Sequence, residues 1–271
     1  MPELPEVETT RAGIEPHVRG ARVRTVVVRQ PQLRWPVSPE LTAELPGQRI
    51  EAVRRRAKYL LFAAERGHVC LHLGMSGRLR VVPADTPPGA HDHVDITLDT
   101  GQAIRFNDAR RFGSVFWLRG DPEAFSLLAK LGPEPLSEAF DGDGLHARSR
   151  GRRAPVKAFI MDSATVVGVG NIYASEALHA AGIHPRRAAG RIGLGRYRRL
   201  AEAIRTVLAG AIAVGGTTLR DYIGVDGDTG YFQLRLAVYD KAGQACPRGC
   251  GPIRREIIGQ RATFFCPVCQ R

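Results

Sequence analysis

The sequence has 271 residues, a formal net charge of +12 and an apolar content of 44%. This length provides for one large or two ordinary domains with apolar cores. We expect a cytoplasmic protein, because no apolar run is long enough to span a membrane and the acidic N-terminus is unlike a secretory signal. The basic excess favours a polyanionic partner, nucleic acid first, over the alternative of a basic enzyme without one.

The first half of the chain predicts one helix followed by a series of strands. The helix covers residues 3–19 and contains Pro16 near its end. Strands are predicted at 21–30, 48–55, 58–64, 68–74, 77–82, 93–99, 102–107 and 113–118. Closely spaced strands separated by turn signals indicate a β-sandwich or barrel. A short helix is predicted next, at 122–131.

The second half predicts helices and then a hairpin that contains cysteines. Helices are predicted at 155–162, 170–182 and 195–214, and the last has apolar residues at helical spacing. The Gly-rich stretch 215–232 predicts a long loop. The predicted divisions are a sandwich domain at 1–131, a linker at 132–154, a helical domain at 155–232 and a hairpin at 233–271.

Four of the five cysteines form two pairs near the C-terminus, Cys246 with Cys250 and Cys266 with Cys269. Thiolate pairs at this spacing can bind one zinc ion tetrahedrally, and the metal would stabilise a hairpin too small for its own core. We therefore expect one structural Zn²⁺, with four unligated cysteines as the alternative. Cys70 lies in an apolar strand and predicts a buried thiol.

The first residues can supply a nucleophile. Methionine is normally removed before a small residue, which would leave Pro2 with a free secondary amine. Such an amine can attack an electrophilic carbon and form an iminium, and α-amino groups are partly neutral near pH 7. Glu3 could transfer protons beside it, and Glu6 lies in the first turn of the predicted helix. The alternative is an ordinary helix start, because many chains begin Met-Pro without a catalytic role.

These features occur together with six motifs: PELPEVE at 2–8, RAKYL at 56–60, HLGMSG at 72–77, NDARRFG at 107–113, GVGNIYASE at 168–176 and QRATF at 260–264. The combination closely resembles the formamidopyrimidine-DNA glycosylase family over essentially the whole chain. The resemblance implies an α+β multidomain fold with an N-terminal β-sandwich and flanking helices. It also implies a C-terminal helix–two-turns–helix domain with a zinc-finger β-hairpin, and DNA bound in a basic cleft.

The resemblance further implies an activity. The family removes oxidised purines, such as 8-oxoguanine and formamidopyrimidines, from double-stranded DNA and then cleaves the abasic site by β,δ-elimination. Pro2 corresponds to its nucleophile, which attacks C1′ of the damaged nucleotide, and Glu3 to the residue that assists opening of the sugar. A monomeric base-excision repair enzyme, at once glycosylase and lyase, is therefore expected in the bacterial cytoplasm with the nucleoid.

The resemblance also assigns site residues. Lys58 and Arg261 correspond to catalytic, phosphate-binding residues. DNA contacts are expected at His72, Met75, His93, Arg110, Phe112, Arg152, Lys157 and Asn171. Met75, Arg110 and Phe112 match the side chains that fill the gap left by an extruded base. On sequence alone, Met75 and Phe112 would instead be assigned to the core, and Asn171 to a helix N-cap.

Two positions depart from the family pattern. Three residues separate Cys246 from Cys250, where the family commonly has two, and Ala109 stands where proline is common. We expect zinc still to bind, with a distorted first knuckle. The loop that holds Arg110 is expected to be looser without the proline.

Two other functions compete with this interpretation. One is an endonuclease VIII-like glycosylase for oxidised pyrimidines, with the same fold and nucleophile. The other is a non-catalytic damaged-DNA-binding protein. Leu4 and Met75, with Arg110 and Phe112, favour the purine enzyme over the first. Pro2, Glu3 and Lys58 argue against the second, because a protein without the chemistry has no use for them.

Overall fold

The computed structural model describes residues 2–215 and 236–271. The described chain forms two compact units, one built on residues 2–129 and the other on 130–214 and 236–271. Apart from Gly215, the loop predicted at 215–232 lies outside the described residues. No helix in the described ranges is long and apolar enough to span a bilayer.

Helix α1 (Leu4–Val18) opens the first unit. Pro5 is accommodated in its first turn, where a backbone N–H has no partner within the helix. The helix continues through Pro16 and ends two residues later. Its apolar face is buried against strands of both sheets, β2 and β3 in one and β5 in the other. The start of α1 is therefore fixed by packing.

Eight antiparallel strands form the two sheets of the sandwich. They are β1 (Val23–Val28), β2 (Ile50–Arg56), β3 (Tyr59–Ala64), β4 (Gly67–His72), β5 (Arg78–Pro83), β6 (Asp92–Leu98), β7 (Gln102–Asn107) and β8 (Ser114–Leu118). The strand orders are β1-β6-β7-β5 and β2-β3-β4-β8. Apolar residues from both sheets, such as Phe62 and Phe106, form one buried cluster. Each such side chain contributes about 1.5–3 kcal/mol by leaving water. The sandwich and all its predicted strands are confirmed.

A buried ion pair ties the sheet to the connection between β5 and β6. The Arg105 side chain is 2% exposed and donates two hydrogen bonds of 2.9 Å to the carboxylate of Asp95. It also donates to the backbone carbonyls of Thr86 and Pro87, at 2.8 and 3.1 Å. Removing one partner leaves the other charge buried without compensation, so breaking such a pair lowers the free energy of unfolding by about 3–5 kcal/mol. The buried Arg105 side chain thus holds the connection between β5 and β6 in place.

The second unit contains four helices and a hairpin. They are α3 (Gly142–Ser149), α4 (Val156–Met161), α5 (Asn171–Ala181), α6 (Leu194–Ala213), β9 (Arg254–Ile258) and β10 (Arg261–Phe265). Helix α6 packs against α3 and α5, and α5 also contacts α4 and β10. Leu200, Ile204 and Leu208 form the buried stripe of α6 at the predicted spacing. The predicted helices at 155–162, 170–182 and 195–214 are confirmed.

Helix α3 lies in the stretch 132–154, where no helix was predicted. Its cap is Asp141, whose carboxylate accepts a hydrogen bond of 2.7 Å from the backbone N–H of Gly144. A Cβ atom on Gly142 would lie only 2.3 Å from the Cα atom of Arg198 in α6. Gly142, one of the glycines that suggested a linker, therefore allows α3 and α6 to pack closely. A second unpredicted helix, α2, spans Glu40–Glu44.

The helix predicted at 122–131 is wrong beyond its first turn. Only Pro122–Ala124 is helical, as a single 3₁₀ turn capped by Asp121. Phe125 then adopts an extended conformation, and its ring lies 5.0 Å from the ring of Phe116 in β8. Packing of this aromatic side chain on the sheet overrides the local helical preference.

Candidate functional site

Pro2 is buried and directly precedes a helix start that contains two buried acidic side chains. Glu3 is 2% exposed and Glu6 is 1% exposed. The backbone N–H of Glu3 donates to Oε2 of Glu6 at 2.8 Å, which satisfies one of the open donors at the helix start. The positive end of the helix dipole disfavours an ammonium group at this position. The arrangement suits a neutral amine with a proton donor next to it.

Lys58 lies in the two-residue turn between β2 and β3. Arg56 pairs with Tyr59 across the turn, and Ala57 adopts a left-handed conformation with φ of 54°. Arg55 donates to the carbonyl oxygen of Ala57 at 2.9 Å and to the carboxylate of Glu8 on α1 at 2.9 Å. The same helix that carries Pro2 therefore orients the turn that carries Lys58.

Two loops of the first unit present the predicted gap-filling residues. Met75, between β4 and β5, is 36% exposed, and Phe112, between β7 and β8, is 41% exposed. Arg110 is exposed in the second loop and its guanidinium carbon lies 4.8 Å from the centre of the Phe112 ring. Met75 and Phe112 therefore do not belong to the core, to which sequence alone would have assigned them.

His72 and His93 are both built into the structure around these loops. Nδ1 of His72 accepts the backbone N–H of Gly74 at 2.9 Å. His93 is 6% exposed, and its Nε2 donates to the carbonyl oxygen of Asp108 at 2.8 Å. The exposed histidine is His91, two residues earlier, and sequence reasoning missed it. No sequence signal identified it, because residues two apart lie on the same face of a regular strand. The structure separates the two histidines at the register shift between Asp92 and Val94.

Lys157 is buried in the second unit, although it was expected to contact DNA. Its ammonium group donates to the side chains of Asn171 (2.6 Å) and Thr263 (2.8 Å), and to the carbonyl oxygen of Ala262 (3.2 Å). Asn171, at the first position of α5, also donates to the Ala262 carbonyl at 3.0 Å. These bonds join α4, α5 and the zinc hairpin at the N-terminus of α5. We infer that Lys157 positions Asn171.

Arg261 and Arg152 are exposed on the second unit. Arg261 follows the left-handed Gln260 in the turn between β9 and β10. A cleft of about 220 Å³ between this turn and α4 is lined by Lys157, Met161 and Arg261, among others. Arg152 lies after α3. Both arginines can reach an anionic ligand.

The four C-terminal cysteines lie together. Their sulfur atoms are all within 4.8 Å of one another, with Cys246 and Cys269 at 3.9 Å and Cys250 and Cys266 at 3.5 Å. A tetrahedral zinc with Zn–S bonds of about 2.3 Å separates its sulfur atoms by about 3.8 Å. Four thiolates at these distances fit Zn²⁺ and define one structural zinc site. Cys70 is fully buried, as predicted, and burial raises its pKa to about 12.

The longer first knuckle is anchored to α5. Arg248, inside the knuckle, donates to the carbonyl oxygens of His179 (3.1 Å) and Ala180 (2.8 Å) at the C-terminus of the helix. Nε2 of His179 lies 3.4 Å from Sγ of Cys246. A cation at a helix C-terminus is favoured by the dipole and satisfies open carbonyls. Arg248 and Cys246 thus hold the first knuckle against the C-terminal part of α5.

Glu176 is a functional candidate that sequence reasoning did not single out. It is 6% exposed on α5, and its carboxylate accepts three backbone N–H groups, from Ala237, Val238 and Tyr239, at 2.7–2.9 Å. Three such bonds hold the segment that leads into the zinc hairpin. The available signal was the one acidic residue of α5, at the end of the 168–176 motif.

Known proteins match both halves of the chain. Residues 1–115 match the formamidopyrimidine-DNA glycosylase N-terminal domain, and residues 131–222 match the H2TH domain of the same glycosylases. These domains, with the four-cysteine hairpin, define a zinc-finger DNA glycosylase. The protein belongs to the formamidopyrimidine-DNA glycosylase family.

Full-length relatives and solved structures agree with this assignment. The chain is 60% identical to the formamidopyrimidine-DNA glycosylase of Alkalilimnicola ehrlichii and 61% identical to that of Stutzerimonas stutzeri, with all of each chain covered. The MutM (Fpg) protein of Thermus thermophilus is 42% identical, with a TM-score of 0.89 over 99% of this chain and 98% of that one. Lactococcus lactis Fpg, solved with DNA that contains an abasic site, is 32% identical with a TM-score of 0.91 over 99% of both.

The zinc site predicts a metal-dependent hairpin. Cys266→Ser removes one of four thiolate ligands, so we expect the purified variant to lack zinc, whereas the wild type holds one ion per chain. Metal analysis of the dialysed proteins measures this. Cys70→Ala is the control, because it removes a cysteine outside the site. Stoichiometric zinc in Cys266→Ser would show that the four-cysteine assignment is wrong.

The half-buried His72 predicts a pH dependence of stability. Burial, helped by the positive charges of Lys58 and Arg34, lowers the pKa of His72 from 6.5 to about 4. As the pH falls through this window, the unfolded chain binds a proton that the folded protein excludes, so stability is lost. His72→Asn keeps an acceptor and should lose less unfolding free energy over this range in urea titrations. His17→Asn, at an exposed position, should behave as wild type; a His72→Asn profile parallel to wild type contradicts the assignment.

Proposed function

We propose that this protein initiates base-excision repair by removing oxidised purines, 8-oxoguanine and formamidopyrimidines, from double-stranded DNA. The observation that carries the proposal is a buried Pro2 directly before a helix start that buries the side chains of Glu3 and Glu6. The DNA-bound structures of Lactococcus lactis Fpg, one with an abasic site and another with Fapy-dG, support DNA as the partner. The matches to formamidopyrimidine-DNA glycosylases favour this substrate over oxidised pyrimidines.

Covalent catalysis begins at the secondary amine of Pro2 after removal of Met1. The nitrogen attacks C1′ of the damaged nucleotide, the bond between C1′ and the base breaks, and the base leaves with a proton. The nitrogen then loses its own proton, and opening of the sugar breaks the C1′–O4′ bond. An iminium now joins Pro2 to C1′. Glu3 gives a proton to O4′ in this opening step.

The iminium makes the strand cleavable. It acidifies C2′, so loss of a proton there expels the 3′ phosphate by β-elimination. A second proton loss expels the 5′ phosphate by δ-elimination, and hydrolysis of the iminium restores the amine of Pro2. Lys58, presented by its turn, binds a phosphate next to the lesion and stabilises the negative charge there. The protein would then be a glycosylase and an abasic-site lyase.

Cations and amide groups of both units hold the DNA backbone. Arg261 and Arg152 are the exposed arginines assigned to phosphates in the second unit, and Asn171 offers its amide at the N-terminus of α5. In the first unit we assign the contact to His91 and not to His93, because His93 is buried. The net charge of +12 favours such a partner.

The exposed side chains of the two first-unit loops fill the gap in the helix. Met75 and Phe112 wedge between bases once the damaged nucleotide is extruded, and Arg110 offers hydrogen-bond donors to the orphaned base. Three exposed groups of this kind on adjacent loops have no role in the core. Residues 216–232, assigned to the loop that covers the extruded base, lie outside the described residues.

The proposed setting is the bacterial cytoplasm, with the enzyme associated with the nucleoid and acting as a monomer. The curated relatives come from bacteria such as Alkalilimnicola ehrlichii. The substrate is a lesion in chromosomal DNA. Between lesions, the basic protein would bind undamaged DNA non-specifically. Zinc has a structural role in this scheme and takes no part in the chemical steps.

Trapping tests the nucleophile. Borohydride reduces an iminium to a stable amine, so enzyme with an 8-oxoguanine duplex should give a covalent adduct on the N-terminal residue, identified by mass spectrometry. Glu3→Gln should slow base excision by roughly 10²- to 10⁴-fold. It should slow cleavage of a preformed abasic site much less, because a free abasic sugar opens on its own. An adduct on a lysine with none on Pro2 would overturn the mechanism, and no adduct at all would favour the non-catalytic alternative.

A salt titration separates phosphate contacts from the wedge. Arg261→Gln removes one phosphate contact and should lower the slope of log affinity against log salt by about one unit, on damaged and undamaged DNA alike. Phe112→Ala removes no charge, so its slope should equal that of wild type while excision of 8-oxoguanine slows. The assignments are contradicted if Phe112→Ala flattens the slope or excises at the wild-type rate.

A further inference from the structure

The two wedge loops touch through their backbones. We call residues 73–77 the Met75 loop and residues 108–113 the Arg110 loop. Gly74 has a φ of +68°, and a Cβ atom there would lie 2.4 Å from the backbone nitrogen of Gly113 and the carbonyl carbon of Phe112. No larger residue fits at position 74 without moving the Arg110 loop. The loops come from separate parts of the sequence but form one packed surface.

The carboxylate of Asp108 connects these loops. Asp108 is fully buried. One carboxylate oxygen accepts the hydroxyl of Ser76 in the Met75 loop at 2.7 Å, and the other accepts the backbone N–H of Gly113 at 2.7 Å. The Ser76 oxygen in turn accepts the backbone N–H of Arg110 at 3.2 Å. A continuous chain of three hydrogen bonds therefore runs across both loops.

The backbone of Asp108 is held as well. Its N–H donates to the carbonyl oxygen of His91 at 3.0 Å, and its carbonyl oxygen accepts Nε2 of His93 at 2.8 Å and the N–H of Arg111 at 3.2 Å. Arg111 is left-handed, with φ of 56°. The first residue of the Arg110 loop is thus fixed through its backbone to β6 and to the residue before β6, so its carboxylate can serve as an anchor.

We propose that Asp108 is a positioning residue that acts through Ser76 to hold Met75, Arg110 and Phe112 as one rigid wedge. The inference rests on the proposed function, because it assumes that these three side chains enter the DNA. A preorganised wedge loses little conformational freedom on insertion, whereas two independent loops would have to be ordered at that moment. Ala109 has no ring to fix its φ, so the hydrogen bonds must supply the order.

Base extrusion is the step that depends on this arrangement. An intact 8-oxoguanine must be unpaired and unstacked before the wedge fills its place, while an abasic nucleotide has no base to unpair. Loss of the Ser76 or Asp108 contact should therefore slow excision of an intact lesion more than cleavage of an abasic site. General destabilisation of the fold would slow both reactions together. The ratio of the two rates distinguishes positioning from a merely structural role.

Ser76 provides the first test. Ser76→Ala removes the hydroxyl, whereas Ser76→Thr keeps it at a half-buried position. In single-turnover reactions we expect Ser76→Ala to slow 8-oxoguanine excision by about tenfold, the factor that one or two lost hydrogen bonds supply. Cleavage of a preformed abasic site should stay near wild type, and Ser76→Thr should restore excision. Ser126→Ala, at an exposed position of the same unit, is the control.

Asp108→Asn provides a second, independent test. The amide keeps one acceptor for Ser76 but turns a donor towards the N–H of Gly113, so the variant breaks the link to the Arg110 loop. Its excision rate should fall further than that of Ser76→Ala, again with abasic-site cleavage largely kept. Asp85→Asn makes the same charge change at an exposed position and should behave as wild type. Thermal unfolding of every variant separates lost positioning from lost folding.

The outcomes separate this proposal from the function on which it rests. If Phe112→Ala slows excision but Ser76→Ala and Asp108→Asn do not, the wedge stands and the positioning proposal is wrong. Equal slowing of excision and abasic-site cleavage in both variants also overturns it. If Phe112→Ala itself excises at the wild-type rate, the wedge assignment fails, and the positioning proposal fails with it. Selective loss in Ser76→Ala with recovery in Ser76→Thr supports it.

Discussion

The proposed chemistry depends on fixing the first residues of a chain, which are ordinarily the most mobile. Helix α1 solves this by burying its own start: Leu4 is fully buried, and Glu3 and Glu6 are nearly so. The hydrogen bond from the Glu3 backbone to Glu6 closes the first turn. The same helix reaches Arg55 through Glu8 and so orients the turn that carries Lys58. One packed helix thus positions both Pro2 and the turn that carries Lys58.

Helix α5 has a comparable role in the second unit. Its N-terminus offers Asn171, which Lys157 fixes against the zinc hairpin, and its C-terminus accepts Arg248 from the first zinc knuckle. Glu176, between these ends, binds the segment that leads into the hairpin. The four-cysteine hairpin is thus held against both ends of α5. If Asn171 binds a phosphate, as proposed, the zinc site supports that contact indirectly by ordering the hairpin.

The sequence predicted most of the fold because the relevant signals are local, while the roles that it assigned to the site residues stay predictions. Turn residues between apolar segments identified all eight strands, and the motifs identified the exposed Met75, Arg110 and Phe112. Other features depend on contacts between distant residues. The glycines of α3 resemble a linker in sequence, but Gly142 lies against Arg198 of α6. His93 and Lys157 have the chemistry of DNA contacts, but both are buried and bond to residues distant in sequence.

The close approach of Gly74 to the Arg110 loop has a consequence for protein engineering. The backbone segments between β4 and β5 and between β7 and β8 interlock, so neither has a shape of its own that could be exchanged alone. Anyone grafting a wedge from a relative, to alter which opposing base is tolerated, would have to transplant both segments together. Asp108 and Ser76 would have to be transplanted with these segments, although neither is expected to contact the nucleic acid.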